Sequence, residues 1–543
     1  MCGIAGVVSK FPLEEYKINN CIKKLNRRGP DSSGHITRKI GNGFYLYLIH
    51  TRLAIIDLDD RSDQPFETAK SDLIFNGEIY NYLELKESLS KDYYFKTKGD
   101  CEVLSNLLDA KGIEGLNKCE GMWSFARFDK STNKLTICRD RFGEKPLFLT
   151  QDNYGSIYFG SEPKAIFALI GTDLPINTNH LTRFLVNGYK SLYKTKDTFF
   201  TNLKELSPGS VGEWNPHSGY REWSWWKPPL FTESNDLSFE EAVSITRDKL
   251  IRAVDLRMRA DVPIAFCLSG GVDSNALVSI AKRQLGKDVH GFTIINEDER
   301  YEEKDMIDLA VKELDIKHTS IAIDSKNFIS NLNEQILLHD SPICTINYYA
   351  HWRLMNSIAD KGYKVSVSGT GADEIFSGYY DHHLAYLAFL NKQHHYLYQE
   401  SLSNWKEKVS PIVRNPFLKN KDYFIERPYG RDHIYLDSLK YSSFLKEPFH
   451  EPFFELNYTD NILRNRMLNE LFSETVPPIL HEDDLNSMSF SIENRSPYLD
   501  SSLMEWAYSI PTSFLIKDGL AKAVLRQSVK GIAPNKVINN PRK

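Results

Sequence analysis

Along the first part of the chain, apolar positions come in short aromatic and β-branched runs. "GFYLYLIHTRLAIIDL", "DLIFNGEIYNY", "MWSFARFD", "KLTICRD" and "SIYFGSE" are each broken by Gly, Asn or Asp, a pattern that predicts strands closed by turns. Helical spacing appears between them, as in "CEVLSNLLDAKG". The stretch "ELSPGSVGEWNPHSGYREWSWWKPPL" has no steady period and is rich in Pro, Gly and Trp, so a domain boundary is expected at its end. This gives a first domain over 1–225, a linker over 226–238 and a second domain over 239–543. Beyond the boundary the rhythm alternates. "EEAVSITRDKLIRAVDLRM" has helical spacing, "PIAFCL" reads as a buried strand, and "NALVSIAKRQLG" reads as a helix. "VHGFTII", "KDMIDLAVKELD", "HTSIAI" and "KVSVSG" continue the alternation, which predicts a parallel sheet with helices on both faces. Residues 381–475 are aromatic and mostly helical in pattern, and no internal repeat is found.

Composition narrows the partners. The chain has 543 residues, enough for two or more domains, and a net charge of only −5. No Lys/Arg block stands out, so neither nucleic acid nor a membrane surface is expected as a partner. Seven scattered cysteines with no CxxC pair speak against a disulfide framework and structural zinc. A reduced, cytoplasmic compartment is expected. The opening run "IAGVV" is too short for a signal peptide, and no stretch approaches the roughly 20 apolar residues of a membrane span.

Three places carry candidate chemistry. The chain opens "MCG". Loss of Met1 would give Cys2 both a thiol and a free α-amine, and the amine can serve as the local base that forms the thiolate. A chance Met-Cys-Gly is the plain alternative. "CLSGGVDSNAL" sits between a predicted strand and a predicted helix. Gly270 and Gly271 let backbone N–H groups approach an anion, the helix start adds partial positive charge, and Ser269 and Ser274 add hydroxyls. Asp273 offers a carboxylate to Mg²⁺. No lysine stands where a Walker A loop needs it. "VSVSGTGADEIFSGYY" repeats the logic with Ser368, Gly369, Asp373 and Glu374 at the end of another strand. In the first part, Arg52 can hold a carboxylate, Asn76 and Gly77 can donate to an oxyanion, and Glu78 and Asp100 can bind an ammonium.

The opening Cys-Gly, "RGPD", "RLAIID", "NGEIYN", "GDCE", "SGGVDS" and "SGTGADE", in this order, resemble the glutamine-dependent asparagine synthetase family. The likeness runs nearly end to end and includes "RDRFGEKPLF", "FGSEPKAIFAL", "SMSFSIENRSPYLD" and "GLAKAVLRQ". It implies an N-terminal α+β, four-layer α/β/β/α N-terminal-nucleophile glutaminase, the type 2 glutamine amidotransferase. It also implies a C-terminal α/β parallel-sheet ATP-pyrophosphatase domain, adenine nucleotide hydrolase-like, with added helices. By this resemblance Cys2 attacks glutamine through a thioester and releases ammonia. Arg52, Leu53, Ala54, Ile55, Ile56, Asn76, Gly77, Glu78 and Asp100 hold the glutamine, with Asn76 and Gly77 forming the oxyanion hole. ATP adenylates an acceptor carboxylate, releasing pyrophosphate, and ammonia arriving by an internal channel displaces AMP. Leu268 and Ile294 contact the adenine. Ser269, Gly270, Gly271, Asp273 and Ser274, with Ser368 and Gly369, hold the phosphates. Asp273 and Asp373 bind Mg²⁺. Lys522 neutralises charge on the phosphates or the adenylate; the plain alternative is a lysine on a helix surface. The partners implied are glutamine, ATP and a small carboxylate, and related enzymes are often homodimers.

The chain departs from the family pattern in places. Thr370 stands between the two loop glycines, where relatives carry Glu or Asp beside the reacting amino acid. Asn347 of "CTIN" stands where an arginine can hold the acceptor's α-carboxylate. Arg27 replaces the usual His before "RGPD" and is expected at the surface. The first two changes fall at the acceptor. Aspartate is therefore the first expectation for that substrate, and another carboxylate, such as a uronic acid in a polysaccharide pathway, is the alternative. A β-lactam-synthetase-like cyclase is disfavoured by the full glutamine pocket, and a regulator without activity by the presence of Cys2, Asp273 and Lys522. Region 381–475 is expected to shape the acceptor pocket. Relatives usually continue beyond the "PRK" of this chain, so further residues are expected to follow it.

Overall fold

The structure is a computed structural model describing residues 1–229, 232–234, 236–295, 303–323 and 325–541. Positions 230, 231 and 235 of the expected linker, and the final Arg542 and Lys543, lie outside the described residues.

Twelve strands build the first unit: β1 (Cys2–Ser9), β2 (Ser32–Ile40), β3 (Phe44–Arg52), β4 (Phe66–Glu67), β5 (Ser71–Ile79), β6 (Gly121–Asp129), β7 (Lys134–Arg139), β8 (Phe148–Gln151), β9 (Ile157–Gly160), β10 (Lys204–Glu205), β11 (Ser210–Asn215) and β12 (Gly219–Ser224). They form two six-stranded antiparallel sheets, ordered β10-β8-β9-β1-β3-β2 and β12-β11-β7-β6-β5-β4. Strand alternation sorts the apolar residues into layers. Ile4 and Val8 of β1 face Ile74, Ala126 and Phe128 of the other sheet. Ala5 and Val7 face outward onto helices Glu15–Leu25 and Pro163–Ile170. Leu73 and Phe75 face outward onto helices Tyr82–Leu89 and Asp100–Lys111. The result is the expected α/β/β/α stack.

The second unit holds a parallel sheet of β13 (Ile264–Cys267), β14 (His290–Ile295), β15 (Lys317–Ala322), β16 (Val365–Val367) and β17 (Glu493–Arg495), ordered β15-β14-β13-β16-β17. Both faces are covered. Ile264 and Phe266 join the large core with helix Phe239–Arg257, while Ala265 meets Leu354, Met355 and Ile358 of helix Ile346–Asp360. All seven cysteines are free, as the scattered spacing predicts. No helix among the described residues is long and apolar enough to cross a membrane.

Two expectations need correction. "LAIIDL" does not continue β3. The chain leaves the sheet after Arg52 and docks on the second unit, where Asp261 N donates to Ile55 O and Asp57 N donates to Asp261 Oδ2. The apolar run therefore reflects an interface between units, not a strand. Region 381–475 is helical at Tyr380–Gln393, His395–Lys408 and Ile462–Asn469, but 409–461 carries only short turns of helix. Prolines 411, 416, 428, 448 and 452 interrupt any longer helix there.

Candidate active sites

Cys2 begins the central strand β1, in register with Arg52 of β3, at an end where the two sheets come together. Its backbone N–H donates to Asn76 Oδ1 of β5 at 3.0 Å, which ties the sheets at this point. Burial pushes the Cys2 thiol up. Gly77 follows in β5 and lies so close to β6 that a Cβ there would come within 2.1 Å of Met122 O, so no side chain fits. Asp100, at the start of its helix, accepts from Ile79 N at 2.8 Å. Arg52 is nearly buried and is braced by Asp63 at 2.7 Å and by the carbonyls of Asp57 and Asp59.

A cluster of carboxylates faces the chain start. The Met1 α-ammonium lies 2.9 Å from Glu493 Oε2, with both groups fully buried. Although burial opposes the charge, this ammonium and Arg495 hold Glu493 down at about 2. Burial and the neighbouring Glu493 and Asp100 push Glu78 well above the carboxylate range, and burial raises Asp100 to about 6. Glu78 Oε2 has no hydrogen-bond partner among the described residues. The site is thus a buried acidic pocket in which Glu493 already pairs with an α-ammonium. Of the residues expected around glutamine, the structure brings Arg52, Leu53, Asn76, Glu78 and Asp100 towards Cys2. Ala54, Ile55 and Ile56 lead away along the interface, with Ile55 and Ile56 buried in the shared core.

Arg28 of "RGPD" is only 1% exposed. Its Nε donates to Cys2 O at 3.0 Å, and its two Nη atoms reach Glu162 at 3.0 Å and Asp484 at 2.7 and 3.2 Å. Asp484 lies on helix Val476–Met488 of the second unit. One guanidinium therefore joins the candidate nucleophile's own carbonyl to the other half of the molecule.

The second site is a cavity of about 680 Å³ at the carboxyl ends of β13 and β14. Leu268, Ser269, Asp273, Ser274, Ile294 and Gly369 line it, as does Asn347. The loop after β13 is braced from within: Ser274 Oγ accepts from Ser269 N at 3.0 Å, and Asn275 Nδ2 donates to the Ser269 and Gly271 carbonyls. Gly270 N donates to Glu303 Oε2 at 2.7 Å, so a loop amide already holds an anionic oxygen. Lys522 is not a surface lysine. It is 5% exposed, its Nζ lies 2.6 Å from Asp273 and 2.8 Å from Asp373, and those carboxylates raise its pKa despite burial. Asp273 Oδ1 is buried and has no hydrogen-bond partner among the described residues, which suits a hard cation. A Cβ at Gly378 would fall 1.6 Å from Asp373 Oδ1 and 2.4 Å from Lys522 Cε, so only glycine leaves room for this contact.

A glutamine amidotransferase domain family matches residues 1–226, and the asparagine synthase family matches residues 246–543. The chain belongs to the asparagine synthase family. It is 30% identical over 569 residues to asparagine synthetase [glutamine-hydrolyzing] 1 of Bacillus subtilis, covering 99% of this chain and 86% of that protein. It is 30% identical over 408 residues to a putative asparagine synthetase [glutamine-hydrolyzing] 2 of Methanocaldococcus jannaschii, covering 70% of this chain and 76% of that one. It is also 23% identical over its whole length to amidase chry2 of Gibberella zeae, covering 88% of that protein. As an enzyme the chain is a carbon–nitrogen ligase of the glutamine-hydrolysing asparagine synthase type, and the asparagine synthase domain carries ATP as co-substrate.

Within this asparagine synthase fold, several residues at the sites have no role that the sequence alone assigns. Glu493, Arg495, Asp484 and Asp483 sit in or beside the motif "SMSFSIENRSPYLD", and Arg28 in "RGPD". The signal available was a charged residue within an otherwise apolar or small-residue motif. Arg27 has a half-exposed side chain 3.6 Å from Glu334. No arginine is among the described residues lining the cavity, where Lys304 and His318 are the basic groups. Elsewhere, Asp381, His382 and Glu470 converge in a way that can hold a metal, but Arg466 lies 3.3 Å from Asp381 and 3.0 Å from Glu470 and already supplies their cation.

Proposed function

We propose that this chain hydrolyses glutamine at Cys2 and uses the ammonia to amidate aspartate activated by ATP, giving asparagine, glutamate, AMP and pyrophosphate. The observation that carries the reading is the Met1 α-ammonium paired with buried Glu493 at 2.9 Å beside Cys2, with Glu78 and Asp100 clustered next to that carboxylate. With Met1 removed, the same pocket takes the α-ammonium of glutamine, Arg52 takes its carboxylate, and the Cys2 nitrogen becomes the amine that activates the thiol. Asn76 and Gly77 lie at the strand position from which donors reach an oxyanion.

In the second site, adenine lies against Leu268 and Ile294, and the loop from Ser269 to Ser274, with Ser368 and Gly369, binds the phosphates. The unpartnered Asp273 oxygen and Asp373 fit Mg²⁺, which when bound neutralises phosphate charge. Lys522, freed from those two carboxylates, turns its charge to the phosphates. The chemical need is plain: a carboxylate is a poor electrophile, and adenylation gives it a leaving group. The domain division at 1–225, 226–238 and 239–543 follows this division of labour.

Two relatives named as glutamine-hydrolysing asparagine synthetases, one matched over 99% of this chain and one over 70%, support aspartate. The test is initial-rate assay with glutamine, ATP and Mg²⁺, with and without aspartate, following AMP, pyrophosphate and asparagine. All three rising with aspartate is the expected result. Glutamine hydrolysis without aspartate-dependent AMP would remove aspartate as the acceptor and direct the search to a panel of other carboxylates.

A further inference from the structure

Between the loop glycines stands Thr370 and not the acid that the family resemblance leads one to expect, yet the position is not left without a carboxylate. Thr370 Oγ1 donates to Asp483 Oδ2 at 3.2 Å. The same Thr370 hydroxyl lies 3.2 Å from Ser368 Oγ, which accepts from Asn494 Nδ2 at 3.1 Å. Asn494 Nδ2 also approaches Asp483 Oδ2, at 3.4 Å. On the other side, His351 Nδ1 is 3.5 Å from Asp483 Oδ1. Thr370 and His351 directly follow Gly369 and Ala350, which line the cavity. The carboxylate thus stands just behind the cavity wall, on the side that Asn347 also lines.

Asp483 comes from helix Val476–Met488, and the next residue on that helix is Asp484, bound to Arg28 and so to Cys2. Adjacent carboxylates therefore point to different sites. We propose that Asp483, held by Thr370, Asn494 and His351, is the group that takes the proton from ammonia as it attacks the adenylated acceptor. The inference rests on the function proposed above. In the step, a bond forms between the ammonia nitrogen and the acyl carbon. The bond from that carbon to the phosphate oxygen breaks, and its electron pair leaves with AMP. One proton passes from nitrogen to the Asp483 carboxylate, leaving a neutral amide. Burial, which His351 and Thr370 only partly offset, raises the Asp483 pKa and so favours proton uptake.

The test compares full-length wild type, Asp483→Asn and the double variant Thr370→Glu/Asp483→Asn, with thermal melting as the check on folding. Two reactions are read: acceptor-dependent ATP–pyrophosphate exchange, which reports adenylation, and amide formation from ammonium chloride. Asp483→Asn should keep exchange within about threefold and lose about a hundredfold or more in amide formation, the scale of general-base catalysis. Returning an acid at 370 should restore amide formation at least about tenfold, which no merely structural role of Asp483 would produce. A parallel fall in both reactions, or no rescue by Thr370→Glu, overturns the proposal. If wild type shows no exchange with aspartate, the aspartate reading fails instead, and the same three proteins are compared with whichever carboxylate of the panel drives exchange.

Discussion

Replacing Arg28 with methionine removes a guanidinium that donates to the Cys2 carbonyl, to Glu162 and to Asp484. The methionine keeps much of the side-chain volume, so the main loss is charge and hydrogen bonding. Removing one partner of a buried ion pair costs about 3–5 kcal/mol, because the other charge is left without compensation. Here Glu162 keeps Lys164 at 2.6 Å, and Asp484 keeps Lys145 at 3.5 Å. The lower end of that range, about 3 kcal/mol, is therefore expected. Adding Asp484→Asn removes the stranded carboxylate and should recover part of the loss, with a coupling of about 2 kcal/mol between the two positions. Urea unfolding of wild type, both single variants and the double variant measures this, followed by tryptophan fluorescence. The single variant Arg28→Met should also lose glutamine-driven product more than ammonium-driven product, since only the first needs the two units in register. A stability change below about 0.5 kcal/mol, or additive effects in the double variant, would refute the claim that Arg28 joins the two units.

Cys2→Ala should abolish glutamine-driven amide formation while ammonium chloride still supports it; loss of both would show that Cys2 matters for the fold and not only as nucleophile. Lys522→Met should lower ATP–pyrophosphate exchange by about a hundredfold or more, the scale of losing one preorganised charge at a transition state, and an unchanged rate would return Lys522 to a structural role. Asp100 carries a pH signature. Its folded pKa of about 6 exceeds the ordinary 3.8, so its contribution to stability is complete below about pH 4 and is lost as pH rises through about 6. Its charge, which the proposed function assigns to holding the glutamine ammonium, is lost in the opposite direction. KM for glutamine should therefore climb as pH falls from 7 to 5, and Asp100→Asn should flatten that dependence; an unaltered profile in the variant would exclude Asp100 as its source.

Much of this architecture is legible in the sequence because it follows local rules. Alternating apolar runs such as "MWSFARFD" give strands whose two faces bury against different layers, and "PIAFCL" before "SGGVDS" gives a strand end with a phosphate-type loop. What was not legible is long-range. β17 reads Glu-Asn-Arg, three buried polar residues, and no hydrophobic pattern marks it as a strand. Its burial is tolerated because Glu493 meets the Met1 ammonium, Asn494 donates to Ser368 Oγ and Arg495 donates to the carbonyls of Arg257 and Arg259, all partners from distant parts of the chain. "LAIIDL" reads as strand because an interface between units and a strand present the same apolar run. Asp483 is marked in the sequence only as a charge beside a motif, and only the fold brings it within hydrogen-bond reach of Thr370, 113 positions earlier.

Under the proposed function, nitrogen released at Cys2 becomes the amide made in the second site. The most direct measurement supplies ¹⁵N-amide glutamine with ATP, Mg²⁺ and aspartate in the presence of excess unlabelled ammonium chloride, at a pH where glutamine hydrolysis is active. Asparagine whose side-chain amide is predominantly ¹⁵N is the expected result if ammonia passes between the sites within one molecule. Asparagine carrying the isotope ratio of the bulk ammonium would contradict it.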